Sequence, residues 1–237
     1  MRTRFALLLT FAAILPAQTA RKAARPAGAD WPMYNRDLAG TRYSPLAQIT
    51  TKNVAGLKQA WSYPLEARAS EATPIVVNGV MYLPAGNRVV ALDPETGKEM
   101  WRYELPKGNP SRRAVTYWPG DQTNPPRILF TADRRLIALN ARTGKIDPGF
   151  GKEGEVDVVI PYNSAPTLYK NLLFLGANVG EIQVPNQPGN TRAYDVRTGK
   201  KVWEFHSVPQ PGEAGHESWE GEGWKDRTGV NNWGFCR

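Results

Sequence analysis

Short apolar runs broken by turn residues, with little sustained helical period, set the pattern of this chain. In residues 73–81 (TPIVVNGVM) two apolar runs flank Asn78-Gly79, which predicts a tight hairpin turn between antiparallel strands. Val89, Val90, Ala91 and Leu92 predict a third strand, and the stretch delivering Trp101 a fourth. Between these two lies Asp93-Pro94-Glu95-Thr96-Gly97-Lys98. There the Asp93 carboxylate can accept from the backbone of the turn, and Gly97 can take the positive φ that closes it.

The same stretch returns twice. ALDPETGKEMW at 91–101 is followed by ALNARTGK at 138–145 and AYDVRTGKKVW at 193–203. Their Thr-Gly-Lys steps begin at 96, 143 and 198, roughly 50 residues apart, a spacing typical of propeller blades. The middle copy loses its tryptophan to Ile146-Asp147-Pro148. One such turn would mean only a good hairpin. Three, each preceded by alanine and an apolar residue, predict repeated units of about four short antiparallel strands. A single unit cannot bury both of its faces, so the units must stack. The reading is all-β, with units at 71–104, 112–147 and 164–206, and with Trp61-Ser62-Tyr63 as the first regular strand. A loop-rich insertion follows at 207–229; it holds Glu213, Glu217, Glu220 and Glu222, and such loops often line sites on a rigid scaffold.

Composition refines this picture in three places. The net charge of +8 suggests a nucleic-acid partner, but Arg2, Arg4, Arg21, Lys22 and Arg25 supply most of it, and no basic stripe interleaved with aromatics follows. Nucleic acid is therefore not the expected partner. Residues 1–20 combine a basic start, the apolar run 5–15 and a small-residue end, which predicts a secretory signal too short to span a bilayer permanently. A basic linker at 21–29 then leads to a folded part from residue 30 to 237, and export to the periplasm or beyond is expected. Cys236 is the only cysteine, which rules out an intrachain disulfide, and His206 and His216 lack cysteine partners for a zinc site. Residues 230–237 read as the beginning of a fourth unit. Because a propeller closes only with its remaining blades, the sequence reads as the N-terminal part of a longer protein, inactive on its own.

Several stretches together resemble the pyrroloquinoline quinone (PQQ)-dependent dehydrogenases: DWPMYNRDLAGTRYSPLAQIT, NVAGLKQAW, the ALDPETGKEMW repeats, RRAVTYWPG, GANVGE and NNWGF. The resemblance covers about 30–237 in the order of the family's first half. It implies a secreted eight-bladed β-propeller, here about three blades and the start of a fourth, that binds PQQ and calcium.

The resemblance also implies roles for matching positions. Trp233 matches the tryptophan on which the quinone ring stacks, and an indole offers a large stiff face for this. Arg113 matches the arginine that pairs a PQQ carboxylate, with Arg112 a competitor one position away. Glu71 matches an acidic residue bordering the cofactor, and Asn163 a polar residue that hydrogen-bonds it, with Ser164 able to serve instead. Asn231 and Asn178 are further polar candidates. Glu181 matches a calcium ligand, as expected of a carboxylate toward a hard cation. The catalytic base is expected beyond Arg237. Alcohol-oxidising members carry a cysteine pair where this chain has Lys107 and Gly108, which tilts the substrate toward an aldose or another polyol, whereas Glu181 tilts it back toward an alcohol. The implied activity is hydride transfer from a sugar or alcohol to the quinone. Electrons would pass to a respiratory acceptor, quinone or cytochrome c, at a possible membrane periphery. The competing reading is a non-catalytic propeller scaffold of the cell envelope.

Overall fold

A computed structural model describes residues 28–66, 71–179, 188–227 and 232. Three four-stranded antiparallel sheets account for nearly all of its regular structure. The first holds β1 (Ile75–Val77), β2 (Val80–Ala85), β3 (Arg88–Leu92) and β4 (Glu99–Glu104). The second holds β5 (Thr116–Trp118), β6 (Arg127–Ala132), β7 (Arg135–Asn140) and β8 (Glu155–Asp157). The third holds β9 (Thr167–Tyr169), β10 (Leu172–Leu175), β11 (Thr191–Asp195) and β12 (Lys201–Phe205). Strands pair in chain order within each sheet, and β1 abuts β5 as β5 abuts β9. The first strand of each sheet is therefore innermost, and the sheets fan outward as blades.

The turns form as their residues dictate. Asn78 (φ 52°) and Gly79 (φ 75°) make the hairpin that joins β1 to β2. In the repeat, Asp93 Oδ1 accepts from the amides of Glu95 and Thr96, at 2.8 and 3.2 Å. Asn140 and Asp195 repeat this closure on Arg142 and Thr143 and on Arg197 and Thr198.

The middle blade is apolar almost without interruption because both its faces are covered. Ile128, Phe130, Ile137 and Leu139 pack toward Ile75, Tyr82, Val89 and Ala91 of the first blade. Their neighbours Leu129, Leu136 and Ala138 pack toward Leu173, Leu175, Tyr194 and Val196 of the third. The period of two along each strand thus divides one sheet between two cores.

Each blade receives a docking side chain at its Thr-Gly turn. Trp61 Nε1 donates to Pro94 O at 3.1 Å, and Trp101 Nε1 donates to the corresponding Ala141 O at 3.0 Å. The indoles lie so close over Gly97 and Gly144 that a Cβ there would stand 2.5 Å from the ring. At the third turn, Phe150 and Val156 lie over Gly199 instead, and Arg127 Nη1 donates to Val196 O at 2.6 Å. Arg127 is buried, paired with Asp147 at 2.8 Å and held over the Trp118 and Phe150 rings. A guanidinium and a phenyl ring thus take the place of the missing indole.

Two expectations change. The second unit does not end at 147: Ile146 makes only an isolated bridge to Leu139, the chain loops out through 147–154, and β8 closes the sheet afterwards. Trp61-Ser62-Tyr63 is not a paired strand. Among the described residues it has no strand neighbour, and Trp61 and Tyr63 instead cover Leu83, Ala85, Val90 and Leu92 on the free face of the first blade.

Candidate functional site

The residues leading into the innermost strands gather at one end of the fan. Glu71 precedes β1, Arg113 precedes β5 and Asn163 precedes β9, each by three or four positions. Two contacts fix their level. Thr73 N donates to Arg113 O at 2.7 Å, which ties the approach to β1 to the approach to β5. Thr116 Oγ1 donates to Pro166 O, so β5 and β9 run side by side with Arg113 and Asn163 each three residues upstream.

Thr131 at the end of β6 organises the same region. Its carbonyl accepts from Ser111 N at 2.7 Å, and its hydroxyl donates to Tyr162 O at 2.5 Å. The loops carrying Arg113 and Asn163 are therefore anchored on one residue. Farther along, Asn178 N donates to Pro161 O at 2.7 Å, and Ala177 N donates to Asn232 O at 3.2 Å. A Cβ on Gly176 would stand 1.7 Å from Asn232 O, so only glycine admits this approach. Gly176 is a positioning residue that the sequence pattern does not reveal.

The electrostatics are uneven. Glu71 Oε2 lies 3.3 Å from Arg113 Nε, and Glu71 Oε1 lies 3.8 Å from Arg112 Nη2. One carboxylate thus faces two guanidiniums, and among the described residues neither guanidinium donates a hydrogen bond. The half-buried Asn163 amide likewise has no partner among the described residues. The hydroxyls of Ser111 and Ser164 are buried and have no hydrogen-bond partner among the described residues. Two guanidiniums sharing one carboxylate, beside donors with no partner among the described residues, suit an anionic, oxygen-rich ligand.

The structure thus brings Glu71 and Arg113 into contact and sets Asn163 at the same level. Trp233, Asn231 and Glu181 lie outside the described residues. Among the described residues, no group of three or more His, Cys, Asp or Glu side chains could hold a metal ion.

Residues 31–236 match the family described as PQQ: glucose/ethanol/alcohol dehydrogenase, beta-propeller domain. The chain belongs to this family. The alcohol dehydrogenase (quinone) dehydrogenase subunit of Gluconobacter oxydans is 38% identical over 77% of the chain, which spans 25% of that relative. The methanol dehydrogenase [cytochrome c] subunit 1 of Methylobacterium organophilum is 31% identical over 87% of the chain, which spans 37% of that relative. The crystal structure of quinohemoprotein alcohol dehydrogenase from Comamonas testosteroni superposes with a TM-score of 0.65 at 36% identity, covering 78% of this chain and 28% of that one. The chain therefore spans about a quarter to a third of the proteins it matches. In this PQQ-family propeller the three fanned sheets are blades, and the two guanidiniums that share Glu71 fit the polycarboxylate that the family name implies.

Proposed function

We propose that the protein forms part of a PQQ-dependent dehydrogenase that oxidises an alcohol or an aldose carbon. The observation carrying this reading is the group of Glu71, Arg113 and Asn163 at one end of the innermost strands, where Arg113 faces Glu71 through Nε alone and the Asn163 amide has no partner among the described residues. Bound PQQ would supply a quinone able to accept two electrons as hydride from the substrate carbon. Arg113 would hold a cofactor carboxylate through its terminal N–H fork, because only its Nε faces Glu71. Glu71 in turn would orient Arg113, and Asn163 would donate its amide to a ring oxygen. Trp233 is assigned as the stacking face and Glu181 as a calcium ligand, with Asn231 a further polar contact. The names of the relatives, alcohol and methanol dehydrogenases, favour an alcohol over a sugar. They also favour quinone or cytochrome c as acceptor, in keeping with an exported protein at the membrane periphery.

The test is to load the full-length protein with PQQ and calcium and to follow an artificial dye with ethanol and glucose. Dye reduction by ethanol, lost in Arg113→Ala, is expected. Failure of the protein to quench its tryptophan fluorescence on PQQ addition, together with no dye reduction, would sink the reading.

A further inference from the structure

Arg112 contrasts with three closely paired arginines of the blades. Arg127 and Arg192 are buried against Asp147 and Glu204, and Arg134 grips Asp157 with two nitrogens at 2.7 and 3.2 Å. Arg112 has only the 3.8 Å approach to Glu71, and its side chain is 62% exposed. Its backbone is nevertheless fixed. Leu105 N donates to Asn87 O, Arg135 Nη2 donates to Lys107 O at 2.7 Å, and Ser111 N donates to Thr131 O, with Ser111 buried. Just beyond, Thr73 N holds Arg113 O. A loop with an anchored backbone therefore presents a guanidinium head held only by its 3.8 Å approach to Glu71.

We propose that Arg112 is a second ligand-binding arginine, which with Arg113 clamps a polycarboxylate at the end of the innermost strands. This rests on the PQQ reading of the site and deepens it. The charge count supports it, since two guanidiniums share Glu71 and one positive charge is left over. Glu71 uses one oxygen for each arginine, at 3.3 and 3.8 Å, so the longer contact is the one that an incoming carboxylate displaces. Arg112 can then form the two parallel N–H···O bonds that a carboxylate accepts. Arg113 remains held through its Nε and takes a second carboxylate with its terminal nitrogens. A ligand with one carboxylate would leave Arg112 unused.

The experiment is calorimetric titration of the full-length protein with PQQ and, separately, with benzene-1,3,5-tricarboxylate, which has the carboxylates but no quinone. Arg112→Gln, Arg112→Lys and Arg142→Gln are compared with the parent; Arg142 sits on an exposed turn and controls for net charge. Arg112→Gln is expected to weaken both ligands about five- to tenfold. Arg112→Lys should recover part of that loss, and Arg142→Gln should leave both affinities unchanged. Equal affinities in Arg112→Gln and the parent, or an equal loss in Arg142→Gln, overturn the clamp. Binding of the tricarboxylate but not of PQQ, weakened in Arg112→Gln, keeps the clamp and overturns the PQQ reading. Binding of neither ligand to the parent overturns both.

Discussion

Arg127 Nη1 donates to Val196 O at 2.6 Å, and Val196 stands in the third turn where Ala141 stands in the second and Pro94 in the first. Along the chain the donors to these three carbonyls are therefore an indole, an indole and a guanidinium. The guanidinium needs Asp147 beside it, because a buried charge without a partner is costly.

Arg127→Met should accordingly destabilise the protein by about 3–5 kcal/mol, since it leaves Asp147 and two carbonyls without their partner. Replacing the pair together, Arg127→Met with Asp147→Leu, should cost less than Arg127→Met alone. Urea unfolding followed by tryptophan fluorescence measures both. A double variant as unstable as the single one would show that the ion pair is not what couples these positions.

The second turn gives a steric counterpart. Gly144→Ala would put a methyl 2.5 Å from the Trp101 ring at a φ of +68°, and about 2–3 kcal/mol of stability should be lost. Trp101→Phe keeps an aromatic ring over the turn but removes the bond to Ala141 O, and should cost about 1–2 kcal/mol. Thermal unfolding of the two variants ranks them, and the reverse order would count against indole docking as the fastening.

Gly176→Ala tests the approach of Asn232. The added Cβ cannot coexist with Asn232 O, so the Ala177 amide should lose its protection from hydrogen exchange. The β6 and β7 amides, far inside the core, should keep theirs. An Ala177 amide as slow as in the parent would show that the contact is not maintained in solution.

Glu204 supplies a pH dependence. Burial opposes its ionisation, but Lys201, Asn190 and Arg192 together outweigh burial and hold the carboxyl at about 2. A carboxyl depressed in the folded state contributes stability above its unfolded pKa and loses it as pH falls through the folded value. The window therefore runs from about 4.5 down to about 2. After allowance for solvent screening, roughly 1–2 kcal/mol should disappear across it. Unfolding of the parent and of Glu204→Gln between pH 5 and 2 measures the difference, and parallel curves would refute the assignment.

What was legible in the sequence was local. Asn78-Gly79 fixes its hairpin through two residues, and Asp93, Asn140 and Asp195 close their turns within three, so spacing alone exposes them. The four-stranded units and their stacking follow from these signals. The second blade departs from its pattern because its last strand does not follow the turn directly, as it does in the other two units; the chain first spends 147–154 bringing Asp147 and Phe150 to the seam. Trp61-Ser62-Tyr63 has a strand's composition but finds a sheet face to cover and no edge to pair with. In the site, Glu71 and Arg113 are visible only through the family resemblance, because nothing in the 41 intervening positions announces their contact. The dipeptide Arg112-Arg113 offers the sequence a choice between two residues, whereas both face the same carboxylate.

The turn carbonyls of Pro94, Ala141 and Val196 stay in place while the group that reaches them changes. The socket, not the plug, is the constant of this architecture. A repeat can thus surrender its most recognisable aromatic residue and still sit at the correct spacing, provided some other N–H arrives at the same oxygen. Blades of this kind should be counted by their Asx-turn oxygens, because a search keyed to tryptophan would skip the middle one.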